Sequence, residues 1–123
     1  MRQTKKVIIV DDYKPVRDLL RQFAESIPLC DVAGETYNGN DAIELISSIE
    51  PDIVTLDIQL PDISGIEVLC RIQEIIKNTT IIVLSNHTSD LYKSKCMELG
   101  ADYYLDKTKD FEQLFDIMES LCH

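Results

Sequence analysis

The sequence predicts an α/β fold in which one five-stranded parallel sheet is covered by helices on both faces. Five short runs rich in Val, Ile and Leu alternate along the chain with five segments of helical periodicity. Such alternation is typical of a parallel sheet, because each crossover between parallel strands is made by a helix. The chain has 123 residues, which suits one domain and leaves no room for a second. We therefore predict a single doubly wound domain over residues 1–123.

The first two strand–helix units occupy residues 5–51. Lys5–Val10 is rich in β-branched residues and predicts the first strand, and Asp31–Thr36 predicts a second, weaker one. Each is followed by apolar residues at i, i+3 and i+4 spacing, which is typical of a helix that packs one face on a sheet. These positions are Val16, Leu19, Leu20, Phe23 and Ile27, then Ala42, Leu45, Ile46 and Ile49. Pro28 and Pro51 end the two helices.

The other three units follow the same order. Asp52–Leu56 is apolar except for Thr55, as expected for a central strand that is covered on both faces. Thr80–Leu84 and Ala101–Leu105 predict the last two strands, and Gly100 closes the helix between them. The apolar helical positions are Ile66, Leu69, Ile72 and Ile76, then Leu91, Met97 and Leu99, and finally Phe111, Leu114, Phe115, Met118 and Leu121.

Composition and charge exclude several functional classes. The chain carries 12 Lys and Arg against 22 Asp and Glu, for a net charge of −10, which argues against nucleic-acid binding by this domain because phosphate contacts need clustered cations. No apolar run approaches the roughly 18 residues of a membrane span, and the N-terminus lacks the pattern of a signal peptide. We expect a cytoplasmic protein.

The cysteines are expected to be buried or half-buried free thiols: Cys30, Cys70, Cys96 and Cys122.

Polar residues follow four of the predicted strands at their C-terminal ends. They are Asp11 and Asp12 after the first strand, Asp57 after the third, Ser85 after the fourth and Lys107 after the fifth. Because the carboxyl ends of parallel strands share one edge of a sheet, we expect these groups to form one pocket. Three carboxylates within ~5 Å repel one another by about 3 kcal/mol a pair at an effective dielectric of ~20. A positive charge must therefore offset them.

Two candidates supply that charge, namely Lys107 and a bound metal. All-oxygen ligands suit Mg²⁺, whereas neither His87 nor a cysteine has the spacing of a zinc ligand. Asp57, nearest the sheet centre, is suited to act as a nucleophile toward phosphorus, with Mg²⁺, Lys107 and the Ser85 hydroxyl holding the phosphoryl oxygens. Taken singly, Lys107 is also consistent with a surface cation and Ser85 with a strand-end hydrogen-bonding group.

Four segments resemble the motifs of response-regulator receiver domains, which take a phosphoryl group from a histidine kinase. They are VIIVDD at Val7–Asp12, IVTLDIQLPDISGIE at Ile53–Glu67, IIVLS at Ile81–Ser85 and GADYYLDK at Gly100–Lys107. The resemblance covers essentially the whole chain and implies a (βα)5 fold of the flavodoxin-like type. It implies that Asp57 is the phosphoacceptor and that Asp11 and Asp12 hold Mg²⁺. The backbone carbonyl of Gln59 is a further implied ligand, and Lys107 matches the lysine of the family.

The resemblance also implies a two-state switch. Ser85 matches the residue that contacts the phosphoryl oxygen, and Tyr104 matches the switch aromatic, although Tyr103 beside it makes that match depend on the strand register. Phosphorylation is expected to draw Ser85 inward, turn Tyr104 and change the surface of the fourth helix, fifth strand and fifth helix. This surface is a candidate interface for an effector, an output domain or a homodimer. Thr108 stands where many receivers have proline, so we expect a trans bond there, and Asn86 stands where a smaller residue is common.

Two hypotheses concern the rim of the pocket. Gln59 and His87 lie two residues past Asp57 and Ser85, and we expect them to set how long the phosphoryl group lasts. The donor is expected to be a sensor histidine kinase or a histidine phosphotransfer protein. Its docking surface is expected to consist of Tyr13, Lys14, Val16 and the Lys107–Thr108 loop.

Three other functional classes share parts of this pattern. A phosphatase of the aspartyl-phosphate type needs a second aspartate two residues after the nucleophile, where this chain has Gln59. A flavin binder needs a Ser/Thr/Gly-rich loop after the first strand, where this chain has DDYKPVRD. A receiver that acts without phosphorylation, as an interaction or dimerisation module, stays open. The chain is expected to be either a stand-alone regulator or a receiver separated from an output domain such as a DNA-binding effector.

Overall fold

The computed structural model describes residues 4–86 and 90–122 and has the predicted alternation of strands and helices. The strands are β1 (Lys5–Val10), β2 (Cys30–Thr36), β3 (Ile53–Asp57), β4 (Thr80–Ser85) and β5 (Tyr103–Asp106). The helices are α1 (Lys14–Glu25), α2 (Gly39–Ile49), α3 (Gly65–Ile72), α4 (Asp90–Glu98) and α5 (Phe111–Leu121). Within the described ranges, no helix has both the length and the apolar character needed to cross a membrane.

All five strands pair in parallel, and their order across the sheet is β2-β1-β3-β4-β5. The strand order reverses between β1 and β3, and a crevice at such a switch point is where open α/β sheets bind ligands. The register brings the polar strand ends together, since Val10 pairs with Leu56 and Asp57 pairs with Leu84. The predicted five-stranded parallel fold is therefore confirmed.

The core consists of two apolar layers, one on each face of the sheet. Ile8 and Val10 of β1 belong to the layer beneath α2 and α3, and Val7 and Ile9 belong to the layer beneath α1 and α5. All four side chains are buried, because the side chains of a strand alternate between two faces that are both covered. The two layers fix the sheet, so its carboxyl edge is a rigid platform for the polar residues.

The bounds of β2 to β5 differ from those predicted by one or two residues, and the largest shift is at β5. β5 begins at Tyr103, two residues later than predicted, because a side-chain oxygen of Asp102 replaces a backbone carbonyl as the acceptor for β4. Its Oδ2 accepts a hydrogen bond from the Ile81 N–H at 2.8 Å, and its own N–H donates to the Ile81 carbonyl at 2.9 Å. α3 ends at Ile72, and Ile76 lies in the turn that follows, where its N–H still donates to the Ile72 carbonyl at 2.9 Å.

The predicted apolar stripe of α4 is wrong. Leu91 is 79% exposed and Met97 is 41% exposed, and Leu99 lies after the end of the helix. The buried residue of α4 is Cys96. α4 therefore presents apolar side chains to solvent, and Tyr103 of β5 is also exposed, at 37%.

The cysteine prediction holds for three of the four thiols. Cys96 and Cys122 are buried and Cys30 is half-buried, whereas Cys70 is exposed on α3. Burial raises the pKa of Cys30 to about 12, and contact with the Cys122 thiol adds to the rise. Thiols of this kind stay protonated at neutral pH and pack as small apolar groups.

Candidate functional site

Three carboxylates meet at the carboxyl edge of the sheet. Asp11 and Asp12 follow β1, and Asp57 is the last residue of the neighbouring strand β3. One carboxylate oxygen from each residue lies within 4.8 Å of the other two. Asp11 and Asp57 are buried and Asp12 is exposed. The fold thus brings together the three acids that the sequence placed in one pocket.

Lys107 supplies the positive charge that this cluster needs. Its Nζ lies 2.8 Å from Oδ2 of Asp11 and donates a hydrogen bond to Oδ2 of Asp57 at 3.0 Å. The lysine side chain is only 9% exposed. Burial lowers the pKa of Lys107, but the two carboxylates outweigh that effect and raise the pKa above its ordinary value. Lys107 is therefore a buried ammonium and not a surface cation.

Asp57 sits in an unfavourable place for a charge. Burial and the nearby Asp11 raise its pKa to about 6, although Lys107 and the Gln59 N–H act in the opposite direction. The Gln59 N–H donates to Oδ1 of Asp57 at 3.1 Å. One oxygen of Asp57 is thus held by a backbone amide and the other by an ammonium. The carboxylate is oriented, but its charge is only partly compensated.

Backbone contacts hold Asp11 in the same way. The Tyr13 N–H donates to Oδ1 of Asp11 at 2.9 Å, and the Asp11 N–H donates to the carbonyl of Thr36 at 3.1 Å. Arg17 of α1 donates to the Asp11 carbonyl at 2.8 Å. Our sequence reasoning missed this role of Arg17. The signal was present, because Arg17 lies at the end of the first turn of the helix that follows the acidic pair.

The loop after β3 is closed by a glycine that nothing larger can replace. A Cβ on Gly65 would lie 2.5 Å from the carbonyl oxygen of Asp57 and 2.7 Å from the Cα of Ile58. The Gly65 N–H donates to the Ile58 carbonyl at 2.7 Å. Ser64 caps α3 by accepting the N–H of Glu67 at 3.1 Å. The two ends of the loop that carries Gln59 therefore meet, with Gly65 packed against the backbone of Asp57 and Ile58.

The donor set fits Mg²⁺. Asp11, Asp12 and Asp57 each offer one carboxylate oxygen, and oxygen is the ligand that Mg²⁺ prefers. Oδ2 of Asp11 is buried and accepts no hydrogen bond of good geometry from the described residues, although Lys107 lies close to it. The lone pairs of this oxygen that Lys107 does not occupy are available to a metal ion.

Ser85 and Tyr104 form a second polar contact near the pocket. Ser85 ends β4 and is buried, and its hydroxyl and that of Tyr104 share a hydrogen bond. Burial raises the pKa of Tyr104, and the bond to Ser85 partly opposes the rise. Tyr104 is half-buried and packs on the core beneath α4, whereas Tyr103 faces outward. The register thus places Tyr104, not Tyr103, beside Ser85.

The β5–α5 loop positions Lys107 without a proline. Asp106 accepts hydrogen bonds from the N–H and hydroxyl of Thr108, both at 2.7 Å, and from the N–H of Lys109 at 3.1 Å. These bonds lower the pKa of Asp106. The Lys107 N–H donates to the Ser85 carbonyl at 2.9 Å. The bond between Lys107 and Thr108 is trans, as expected, because the described chain contains no cis peptide.

A cavity of about 420 Å³ opens onto the cluster. It is lined by Asp12, Tyr13, Val16, Asp57, Gln59, Asn86, Lys107 and Thr108. The cavity therefore gives a ligand access to Asp57 past the residues that the sequence placed on the rim. His87, the other residue expected to influence hydrolysis, lies outside the described residues.

Comparisons with known proteins agree with this geometry. The family model described as "Response regulator receiver domain" matches residues 7–119. The chain is 37% identical over 115 residues to the transcriptional regulatory protein YdfI of Bacillus subtilis, covering 94% of this chain and 54% of that protein. It is 34% identical over 110 residues to the nitrate/nitrite response regulator NarL of Escherichia coli, covering 88% and 50%. The chain thus spans about half the length of these relatives.

A solved structure shares the fold closely. A two-component response regulator of the LuxR family from Aurantimonas sp. SI85-9A1 superposes with a TM-score of 0.87 and 29% identity. The match covers 98% of this chain and 86% of that one.

The electrostatics of Asp57 predict a stability change in Asp57→Asn. Because folding raises the pKa of Asp57 from 3.8 to about 6, its stabilising contribution is fully present below pH 3.8 and is lost as the pH rises through about 6. In metal-free buffer at neutral pH, the substitution should raise the free energy of unfolding by up to about 3 kcal/mol. Urea denaturation across this pH range measures the difference.

The matched control is Asp12→Asn, which removes an exposed carboxylate of the same cluster. It should change the free energy of unfolding much less. The gain for Asp57→Asn should also shrink as the pH falls toward 3.8. A gain that does not change with pH would show that ionisation of Asp57 is not its source.

Proposed function

Since this chain belongs to the response regulator receiver domain family, we propose that its domain, residues 1–123, accepts a phosphoryl group on Asp57 within two-component signalling. The donor is the phosphohistidine of a sensor histidine kinase or of a histidine phosphotransfer protein. One observation carries this proposal. A buried carboxylate, held by the Lys107 ammonium and a backbone amide, faces a cavity beside two further acids.

The chemistry follows from the contacts of Asp57. A carboxylate oxygen attacks the phosphorus, the bond between phosphorus and the imidazole nitrogen breaks, and its electron pair stays on that nitrogen. Gln59 and Lys107 hold the carboxylate in one orientation through its two oxygens, so little orientational freedom is lost in the transition state. Mg²⁺ held by Asp11, Asp12, Asp57 and the Gln59 carbonyl would offset the charge of the phosphoryl oxygens.

Ser85 and Tyr104 are proposed to change position when Asp57 is phosphorylated. Ser85 lies at the same edge as Asp57 and already shares a hydrogen bond with Tyr104. A bond from Ser85 to a phosphoryl oxygen exists in one state only, which is the requirement for a population shift. Tyr104 contacts the layer that contains Cys96 of α4, so its movement is expected to reach that helix.

The surface of α4, β5 and α5 is proposed to bind the next partner. Its exposed apolar side chains, Leu91, Met97 and Tyr103, favour a protein contact, whether with an effector, an output domain or a second copy. YdfI is named a transcriptional regulatory protein, which supports control of a DNA-binding output by this receiver. A cytoplasmic location is proposed with it.

Phosphorylation is tested with a small donor. Wild-type protein incubated with phosphoramidate and Mg²⁺ should gain the mass of one phosphoryl group, and peptide mapping should place it on Asp57. Asp57→Asn should gain none. In the same samples, the ring resonances of Tyr104 should shift in the wild type and stay unchanged in the variant.

The competing function is a receiver that acts without phosphorylation. It would be favoured if wild-type protein took up no phosphate but formed a dimer that Leu91→Asp disrupts. Phosphate found on a residue other than Asp57 would contradict the assignment of the acceptor.

The lifetime of the phosphoryl group is proposed to depend on Gln59 and His87. Gln59 is exposed and lines the cavity beside Asp57, where an amide is able to orient water but not to act as an acid or base. Gln59→Ala and the double variant with His87→Ala should lose phosphate severalfold more slowly than wild type. Release of inorganic phosphate after donor removal measures this rate. A rate constant equal to that of wild type in both variants would disprove the role.

Docking of the kinase is proposed to use Tyr13 at the rim of the cavity, together with Lys14, Val16 and the Lys107–Thr108 loop. Tyr13 is 60% exposed and lines the cavity. Tyr13→Ala should slow transfer from a phosphorylated kinase while leaving the rate with phosphoramidate intact, because only the kinase needs the surrounding surface.

Tyr37→Ala is the matched control, since Tyr37 is 58% exposed and lies after β2, outside the residues that line this cavity. It should transfer phosphate at the wild-type rate. If the two substitutions slow transfer from the kinase equally, Tyr13 is not part of the docking surface.

A further inference from the structure

The loop between β3 and α3 is tied to α2 by one carboxylate. Oδ1 of Asp62 accepts a hydrogen bond from the Gly39 N–H at 2.7 Å, and Oδ2 accepts one from the Asn40 N–H at 2.9 Å. Gly39 and Asn40 are the first residues of α2, so Asp62 satisfies two of the amides that a helix start leaves without partners. This contact joins residues more than twenty positions apart in the sequence.

The approach of the two segments is close. A Cβ on Gly39 would lie 2.4 Å from Cγ1 of Ile63, so this position needs glycine for Asp62 to reach the helix. The Gly39 amide lowers the pKa of Asp62 to about 2, with further help from Asn40. The carboxylate therefore stays ionised, and an ionised acceptor makes the stronger hydrogen bond to an amide.

The ends of the same loop are fixed at Asp57. Gly65 returns to contact Ile58, as the close approach and the 2.7 Å bond between them show. The segment between these ends carries Gln59. Asp62 anchors the middle of that segment to α2. The backbone around Gln59 is therefore held at Ile58, at Asp62 and at Gly65.

α2 is tied to the other acidic segment as well. The Thr36 carbonyl accepts the Asp11 N–H at 3.1 Å, and the Thr36 hydroxyl accepts the Asn38 N–H at 3.4 Å. Asn38 in turn caps α2 through the Asp41 N–H at 2.8 Å. The start of α2 is thus connected both to the segment that carries Asp11 and to the loop that carries Gln59.

We propose that Asp62 is a positioning residue for the metal site, which fixes the Gln59 carbonyl relative to the carboxylates of Asp11 and Asp57 through the start of α2. The inference rests on the proposed function, because it concerns the Mg²⁺ that supports phosphorylation of Asp57. Asp62 itself touches neither the metal nor the phosphoryl group. Its effect is to keep the ligand oxygens at the separation that the rigid octahedral geometry of Mg²⁺ requires.

The test measures Mg²⁺ binding apart from phosphorylation. Asp62→Ala removes both acceptors, and Asp62→Asn keeps one. Glu44→Gln is the charge control, because it removes one exposed carboxylate from α2. Calorimetry gives the Mg²⁺ dissociation constant without any phosphodonor, and phosphoramidate then gives the half-saturating Mg²⁺ concentration and the maximal rate.

Asp62→Ala should raise the Mg²⁺ dissociation constant by about tenfold, with Asp62→Asn between it and wild type. The half-saturating Mg²⁺ concentration should rise in parallel, and saturating Mg²⁺ should restore the maximal rate. Glu44→Gln should bind as wild type does. If Asp62→Ala does not fold, Asp62→Asn decides the matter by the same measurements.

The opposing result is specific. A lower unfolding temperature with an unchanged Mg²⁺ dissociation constant would mean that Asp62 is only structural, which overturns the proposal. An effect of Glu44→Gln equal to that of Asp62→Ala would mean that charge alone is responsible, which also overturns it. If wild-type protein binds Mg²⁺ and is phosphorylated, these failures concern Asp62 alone. If wild-type protein does neither, the proposed function falls with the inference.

Discussion

The site depends on the Lys107 ammonium that lies between two buried carboxylates. Asp57 ends β3 and Asp11 follows the neighbouring strand β1. Both are buried, so little water is present to screen the repulsion between their charges. Lys107 contacts both at 2.8 and 3.0 Å. Removing the ammonium from such a buried group is expected to cost about 3–5 kcal/mol, because both carboxylates are left without a compensating charge. In the sheet, β5 lies next to β4. Lys107 follows β5 directly, so this strand order places the lysine close to the two acids.

Lys107 compensates only part of the negative charge of the carboxylate cluster. One ammonium contacts two of the three carboxylates, and the pKa of Asp57 stays at about 6 despite the contact. A cluster with excess negative charge attracts a divalent cation, and a cation then attracts the oxygens of a phosphoryl donor. The same lysine is joined to Ser85 and Tyr104, since its N–H donates to the Ser85 carbonyl and Ser85 contacts Tyr104. The lysine that balances the charge of Asp57 is therefore connected to the two residues proposed as the switch.

Sequence reasoning found the parts of this arrangement that strand periodicity controls. An apolar strand followed by an acid, a serine or a lysine places that group at the sheet edge in any parallel α/β fold, so Asp57 and Lys107 could be found without a structure. Contacts across elements were not found. The role of Asp62 depends on how closely Gly39 approaches Ile63, and the exposure of Leu91 depends on how α4 lies on the sheet. Neither is encoded in local spacing.

These missed contacts also bear on the proposed switch, because they hold the two sides of the pocket to different degrees. The side of the pocket near β3 is fixed by short backbone contacts, with Gly65 against Asp57 and Asp62 against α2. The side near Ser85 leads through Tyr104 to α4, a helix that buries only Cys96 among its described residues. A helix with little buried surface is displaced at low free-energy cost, whereas a segment held by buried contacts is not. Binding at Asp57 is therefore expected to move α4 in preference to the loop that carries Gln59, which directs the response toward the exposed apolar surface.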